Sequence, residues 1–308
     1  METPIHPLLY QISHNKFYIK REDLLPFSFG GNKYRKAVKY FEEILSQDYQ
    51  AVVTVGSASS NHCRIIANLA KRHNIRCTIV SPLENEKEVY NRQMTQILGA
   101  DVLVVNKDDM ESVIENAMEA YQKKGLKPYF IAMGGHGVLG TDAYVDVYKE
   151  IKAYEQEASV KFDYIFFADG TGTTHAGLIS GKKLIGGEEE IIGISVLYTK
   201  EKGIIGVLES SNEYLNKYEQ SVSKEEINYC DDYTLGGYGE IDDKLIETIK
   251  DVFSLDGIPL DHVYTGKGFY GMLSYIKNND IFNKNILFIH TGGTPIFFDT
   301  LKLIKEED

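Results

Sequence analysis

The chain has 308 residues, 43% hydrophobic and 25% charged, a composition that excludes an intrinsically disordered chain and supplies enough apolar mass for two cores. Its 45 acidic and 33 basic side chains give a net charge of -12, and the densest basic stretch, Lys33, Arg35, Lys36 and Lys39, runs directly into Glu42 and Glu43, so a nucleic-acid partner is excluded. Cys63, Cys77 and Cys230 are an odd set without a C-x-x-C pair, no stretch approaches the ~18 apolar residues of a membrane span, and the first residues show no charged start before an apolar run; a reducing cytoplasm, with neither disulfide framework nor membrane partner, is expected.

In chain order, Ala37, Val38, Phe41, Ile44 and Leu45 recur at helical spacing after Gly30-Gly31, and Ala51 to Val55 predicts a short buried strand ending at Gly56. A helix marked by Ile65, Ile66 and Leu69 follows, then a strand from Cys77 to Val80, a helix from Val89 to Leu98 and a strand from Asp101 to Val105. Such alternation predicts βαβ units. Tyr129 to Met133 adds a strand before Gly134-Gly135, and a helix from Thr141 to Ala158 leads into the apolar run Phe162 to Ala168. Ile191 to Leu197, a helix around Glu240 to Phe253 and a strand from Ile286 to Ile289 continue the pattern. The expected fold class is α/β, two open, mostly parallel sheets flanked by helices. Periodicity alone does not place the boundary between them.

The clearest chemical signal is the stretch Asp169-Gly-Thr-Gly-Thr-Thr-His-Ala-Gly177, between a buried strand and a helical segment from Leu178 to Leu184. A glycine-rich turn that opens a helix directs unpaired backbone N–H groups at an anion, and the hydroxyls of Thr171, Thr173 and Thr174 add donors. The dinucleotide fingerprint G-x-G-x-x-G fails because His175 stands where its third glycine belongs, and Gly181-Lys182 lacks the upstream glycine and the following hydroxyl of a nucleotide loop. A packed turn and a phosphate cup both satisfy the stretch; the threonines favour the cup.

Lys33 lies in Gly30-Gly-Asn-Lys-Tyr-Arg-Lys36, where a helix opens. A lone lysine there is ordinarily solvated, but lysine also forms Schiff bases with carbonyl cofactors, and together with a phosphate cup it suggests pyridoxal phosphate. Gly56-Ser-Ala-Ser-Ser-Asn-His62 is a second turn into a helix, suited to N-capping by Ser60 or Asn61 and to capture of a substrate carboxylate by the same N–H groups.

In order along the chain, Lys20-Arg-Glu-Asp-Leu24, Gly30-Gly-Asn-Lys33, Ser60-Asn-His62, Gly170-Thr-Gly-Thr-Thr-His-Ala-Gly177, Val263-Tyr-Thr-Gly-Lys267 and His290-Thr-Gly-Gly293 resemble the D-cysteine desulfhydrase and 1-aminocyclopropane-1-carboxylate deaminase family, within the tryptophan-synthase-β-like, fold type II enzymes that use pyridoxal phosphate. The resemblance runs nearly end to end. It implies a small domain of 47–150, a large cofactor-binding domain of 1–46 and 151–308, and an active site in the cleft between them. It implies that Lys33 carries pyridoxal 5'-phosphate, that the loop of Gly172, Thr173 and Thr174 holds the phosphate, that Asn61 meets the pyridine hydroxyl, and that Gly170, Thr171, Thr265 and Thr291 complete the cofactor site. Ser60, Asn61 and His62 would receive the substrate, with Tyr238, Tyr264 and Thr294 lining the pocket; Ser60 and the two tyrosines are candidates for catalysis. A homodimer is expected on the same ground.

By the same resemblance Thr265 stands in the place beside the pyridine nitrogen where the cyclopropane-opening members carry glutamate, and Thr294 where they carry leucine, which is similar to the desulfhydrase pattern. Ser59 and Ile296 depart from the family, replacing a glutamine and a small residue. The expected activity is β-elimination from a small D-amino acid such as D-cysteine, giving pyruvate, sulfide and ammonia. Other β-substituted amino acids (cysteate, D-serine, β-chloroalanine), 1-aminocyclopropane-1-carboxylate, β-replacement, and a binding protein without turnover are the alternatives. A dinucleotide-dependent oxidoreductase is a further one, against which the failed glycine spacing counts.

Overall fold

A computed structural model describes residues 1–83 and 89–305. The chain opens with β1 (Ile5–Pro7), β2 (Lys16–Arg21) and α1 (Asn32–Ser46). Alternation follows through β3 (Ala51–Val55), α2 (Asn61–Arg72), β4 (Arg76–Pro82), α3 (Tyr90–Ile97), β5 (Asp101–Val105), α4 (Met110–Lys123), β6 (Pro128–Ile131) and α5 (Val138–Glu157). The remainder is β7 (Tyr164–Asp169), α6 (Thr173–Ile185), β8 (Glu190–Ser195), α7 (Lys200–Leu215), β9 (Asn228–Cys230), α8 (Asp243–Asp256), α9 (Thr265–Asn278), β10 (Asn285–His290) and α10 (Thr294–Lys305). Two compact units result, Met1–Asn32 with Thr141–Asp308, and Lys33–Gly140.

In the smaller unit the described residues form one parallel sheet in the order β5-β4-β3-β6. Strands covered on both faces read as unbroken apolar runs, and β3 has Ala51, Val52, Val53 and Thr54 all buried. Ala51, Val53 and Val80 pack with Tyr121 and, from α4, with Val113, Ile114 and Ala117. β5 is an edge, and Asp101, Leu103 and Val104 are exposed on it.

The larger unit holds a sheet in the order β1-β2-β10-β7-β8-β9, with β1 antiparallel to β2 and the other pairs parallel. The last strand of the chain is internal: Phe288 stands opposite Ile19 of β2 on one side and Phe166 of β7 on the other. That pairing makes the first 32 residues part of the C-terminal unit. The core behind the sheet joins Phe17, Ile19, Phe166, Ile194, Phe269 and Phe288, among others, all buried.

The contacts divide the chain at 33 and 140 instead of the expected 47 and 150. Beyond Asn32, α1 packs within the smaller unit, with Tyr40 edge-on to Tyr129 at 6.2 Å and Phe41 beside His73 at 5.9 Å. From Thr141 onward, α5 packs on α6, where Gly177 and Gly181 are spaced one turn apart and receive Tyr144 and Tyr148, also one turn apart. A methyl group on Gly177 would lie 2.3 Å from Tyr144 Cβ and 2.5 Å from the Thr141 carbonyl oxygen.

Among the described residues no helix is long and apolar enough to cross a membrane, and no group of three His, Cys, Asp or Glu could hold a metal ion. The three cysteines are unpaired and buried, and burial pushes the thiols of Cys63 and Cys230 up to about 11.

Overpacking of this kind typically costs ~1–3 kcal/mol, so Gly177→Ala is expected to lower the midpoint of thermal unfolding. Gly206→Ala, whose new methyl meets nothing nearer than the Thr171 carbonyl oxygen at 3.9 Å, should leave it unchanged or raise it slightly. Equal effects of the two substitutions, read by differential scanning fluorimetry, would contradict the packing account.

Candidate active site

β7 ends on Asp169, and the turn from Gly170 to Gly172 leads into α6. The Gly172 N–H donates to Asp169 Oδ1 at 3.0 Å. Gly172 has φ +82°, and a Cβ there would press on Val207 of α7 at 3.0 Å, so both dihedral and space call for glycine. The other carboxylate oxygen, Oδ2, accepts from Nδ1 of His175 at 2.9 Å; the imidazole is wholly buried, edge-on to Phe167 and stacked on Tyr229, and Nε2 has no partner among the described residues. Asp169 therefore fixes the shape of the turn from beneath. The first amides of α6 lack intrahelical acceptors and carry the positive end of the helix dipole, with Thr173 and Thr174 buried beside them.

Asn32 ties this turn to another. Its backbone N–H donates to the Thr291 carbonyl at 2.8 Å, and its side-chain Nδ2 donates to Thr174 Oγ1 at 3.1 Å. Because Thr174 Oγ1 accepts that bond, its own proton can be offered to a ligand. Gly31 and Gly292 approach so closely that a Cβ on Gly292 would lie 2.7 Å from the Gly31 Cα, and both have positive φ. His290 holds the second turn. Its Nε2 faces the Pro259 carbonyl at 2.9 Å and must donate, whereas Nδ1 accepts from the Gly292 N–H at 3.2 Å. The ring is thus the neutral Nε2–H tautomer, and its 3.5 Å approach to Asp23 is not an ion pair.

Of the residues expected in the larger unit, Tyr238 and Tyr264 are brought together, hydroxyl to hydroxyl, with ring centroids 5.8 Å apart. Thr265 opens α9 and is buried, and its hydroxyl lies 2.7 Å from Oδ2 of Asp261, also buried, and 3.0 Å from the Asp261 N–H. Asp261 further accepts from the amides of Val263, Tyr264 and Thr265 at 2.7–3.1 Å. The proton between Thr265 and this carboxylate belongs to the threonine. Thr294 is half-buried and opens α10, following Gly293, whose carbonyl accepts from the Ile296 and Phe297 amides.

The smaller unit carries Lys33, Ser60, Asn61 and His62. Lys33 follows Asn32 directly, partly buried in the first turn of α1. Ser60 is the N-cap of α2, its hydroxyl accepting from the Cys63 N–H at 3.2 Å. Asn61 Oδ1 is taken by Asn91 Nδ2 at 3.0 Å and by Arg64 at 3.2 Å, so the amide nitrogen is the group Asn61 can turn toward a ligand. Arg64 is buried, its Nε held by Asn91 Oδ1 at 2.8 Å, and Asn91 Nδ2 also reaches the Ser59 carbonyl at 2.7 Å. Thr54 gives its only proton to the Ile131 carbonyl at 2.7 Å, so His62 Nε2 must donate to Thr54 Oγ1 at 2.8 Å. His62 Nδ1 has no partner among the described residues and is a buried lone pair. Burial, reinforced by the charges of Lys33 and Lys36, pushes this histidine down to about 3.

A family model described as pyridoxal-phosphate dependent enzyme matches residues 1–292. The chain is 33% identical over 297 residues to a Rhizobium rhizogenes protein named 1-aminocyclopropane-1-carboxylate deaminase, covering 91% of this chain and 87% of that one. A crystal structure described as the ACC deaminase homologue superposes with a TM-score of 0.89 at 32% identity, over 99% of this chain and 94% of the other. A structure of O-ureido-L-serine synthase shares the fold with a TM-score of 0.72 at 15% identity, over 99% and 92%.

The chain belongs to the pyridoxal-phosphate-dependent enzyme family, with the fold type II architecture, and its cofactor is pyridoxal 5'-phosphate. Within that class it is a lyase or deaminase of the 1-aminocyclopropane-1-carboxylate deaminase family. The donors at the Gly170–Thr174 turn suit such a group: helix-start amides, a buried threonine with a proton to give, and a carboxylate that already has its own partners. Sequence reasoning missed Asn32, Asp169, Asp261, Arg64 and Asn91. Asn32 and Asp169 lie inside or beside the motifs and could have been found there; Arg64 and Asn91 carry no local signal.

The His62 imidazole sets a pH dependence. Its ordinary value is 6.5 and its folded value about 3, so between these the unfolded chain binds the additional proton, and stability is lost as the pH falls from about 6.5 toward 3. His62→Gln, whose amide can still donate to Thr54, should flatten this part of the profile in thermal unfolding followed by circular dichroism. An unaltered slope would assign the acid sensitivity elsewhere.

Proposed function

We infer that the enzyme removes the β-substituent from a small D-amino acid, D-cysteine foremost, and that Lys33 is both the cofactor's attachment point and the base at Cα. With D-cysteine and water the products are pyruvate, ammonia and hydrogen sulfide. Support for Lys33 comes from its place directly after the doubly tied Asn32 and from the helix start, where a cation is least favoured and a neutral amine is easier to present. The amides and hydroxyls of residues 170–174 would hold the phosphate. Asn61 and Thr291 would border the ring, and Ser60 with its neighbouring helix-start amides would receive the substrate carboxylate. When bound, the cofactor supplies the electron sink that makes the Cα proton labile.

The observation that carries the choice of substrate is at position 265. A threonine stands there instead of an acid, and its one proton is committed to Asp261 at 2.7 Å. Thr265 therefore lends no proton to a ring nitrogen, and a weaker sink suits departure of a good leaving group from Cβ better than opening of a carbon ring. Tyr238 and Tyr264 would share a proton between their paired hydroxyls and pass it to or from the substrate. The half-buried Thr294 would shape the pocket.

A second reading, ring-opening deamination of 1-aminocyclopropane-1-carboxylate, is favoured by the name of the Rhizobium rhizogenes relative. A cytoplasmic homodimer is part of the same proposal, tested by light scattering and cell fractionation. The substrate test assays keto acid, ammonia and sulfide from D-cysteine, L-cysteine, D-serine, β-chloro-D-alanine and the cyclopropane amino acid. Pyruvate and sulfide from D-cysteine at the highest kcat/KM are expected, and Lys33→Ala should lower turnover by at least about 10²–10⁴-fold. Preferred release of 2-oxobutyrate from the cyclopropane substrate would overturn the first reading in favour of the second.

A further inference from the structure

Lys267 is a buried cation with no carboxylate in ion-pair range among the described residues. It lies in the first turn of α9, where burial and the helix dipole both work against a positive charge. Its side chain nevertheless reaches two carbonyl oxygens, those of Thr234 at 2.9 Å and Gly237 at 2.6 Å. Between them the backbone turns left-handed at Leu235 (φ 57°) and Gly236 (φ 89°), a conformation that costs a leucine strain. Tyr238, directly after Gly237, pairs hydroxyl to hydroxyl with Tyr264, which stands at the N-terminus of the helix that carries Lys267. One helical turn therefore grips the 234–238 loop at two points.

We propose that Lys267 is a positioning residue for Tyr238: its two bonds hold the strained Leu235–Gly236 turn closed and thereby set the Tyr238 hydroxyl against Tyr264. This rests on the reading of Tyr238 as a pocket residue. A lysine suits the task because its compact head has several donors and no acceptor, so it can serve two carbonyls at once where a hydroxyl could serve one. Burial pushes the ammonium down to about 8 while Glu240, Asp242 and Asp261 pull it upward, and either protonation state retains N–H groups for both carbonyls.

Lys267→Met keeps the length of the side chain and removes the donors; Lys267→Gln keeps a donor amide and serves as the second variant should the first fold poorly. In cofactor-loaded protein, hydrogen exchange of a peptide covering 234–240 is expected to quicken by about tenfold or more in Lys267→Met, with the β7 and β10 peptides unchanged and a smaller effect in Lys267→Gln. Turnover should fall with kcat more than with KM, and the loss in a Lys267→Met/Tyr238→Phe double variant should be well short of the product of the single losses, since both act through one hydroxyl. Unchanged exchange in the loop, or losses that multiply, would overturn the proposal. Quickened exchange together with wild-type turnover of Tyr238→Phe would instead overturn the role given to Tyr238 and leave the clamp standing.

Discussion

Asn32 spends its backbone N–H on the Thr291 carbonyl and its side-chain amide on the Thr174 hydroxyl, so that one residue ties both turns of the larger unit. Each is an ordinary hydrogen bond, worth roughly 0.5–1.5 kcal/mol. Together they join two turns that lie far apart in the chain to the residue from which Lys33 begins. The glycines at 31 and 292 make this possible, because any side chain at either position would meet the backbone of the other turn. The strand order brings those turns together, since β10 lies beside both β2 and β7 and the turns extend from the C-terminal ends of these parallel strands.

Two buried carboxylates repeat one device. Asp169 receives a loop amide and an imidazole N–H; Asp261 receives three amides and the Thr265 hydroxyl. A carboxylate saturated in this way holds its turn rigidly, and its charge is compensated before any ligand arrives. Both consequently require glycine beside them, Gly193 against Asp169 and His175 at 2.7 Å, and Gly293 against Asp261 at 2.2 Å. Lys267 does the corresponding work for carbonyl groups.

Much of the architecture was legible because doubly covered parallel strands leave unbroken apolar runs: β3 and β10 fall where the runs at 51–55 and 286–289 place them. β2 escaped because its sequence, KFYIKR, includes Lys20, which the structure buries against Glu150 at 2.8 Å, and a buried ion pair is invisible to hydrophobic periodicity. α9 carries three glycines, which lower helix propensity; two of them, Gly268 and Gly271, let the helix approach Ala168 and Ile194 too closely for a side chain, a gain that only the packed structure displays. The turns of the candidate site were legible from their glycines and hydroxyls. Their supports were not, because Asn32 with Thr174 and Arg64 with Asn91 are 142 and 27 residues apart.

The proposed chemistry requires a covalent bond between the Lys33 side chain and the cofactor aldehyde. The most direct test reduces cofactor-saturated enzyme with borohydride and locates the pyridoxyl group by peptide mass mapping. The account predicts a single modified peptide with the group on Lys33. A pyridoxyl group on Lys36 or Lys267, or none on any lysine of saturated protein, would contradict it.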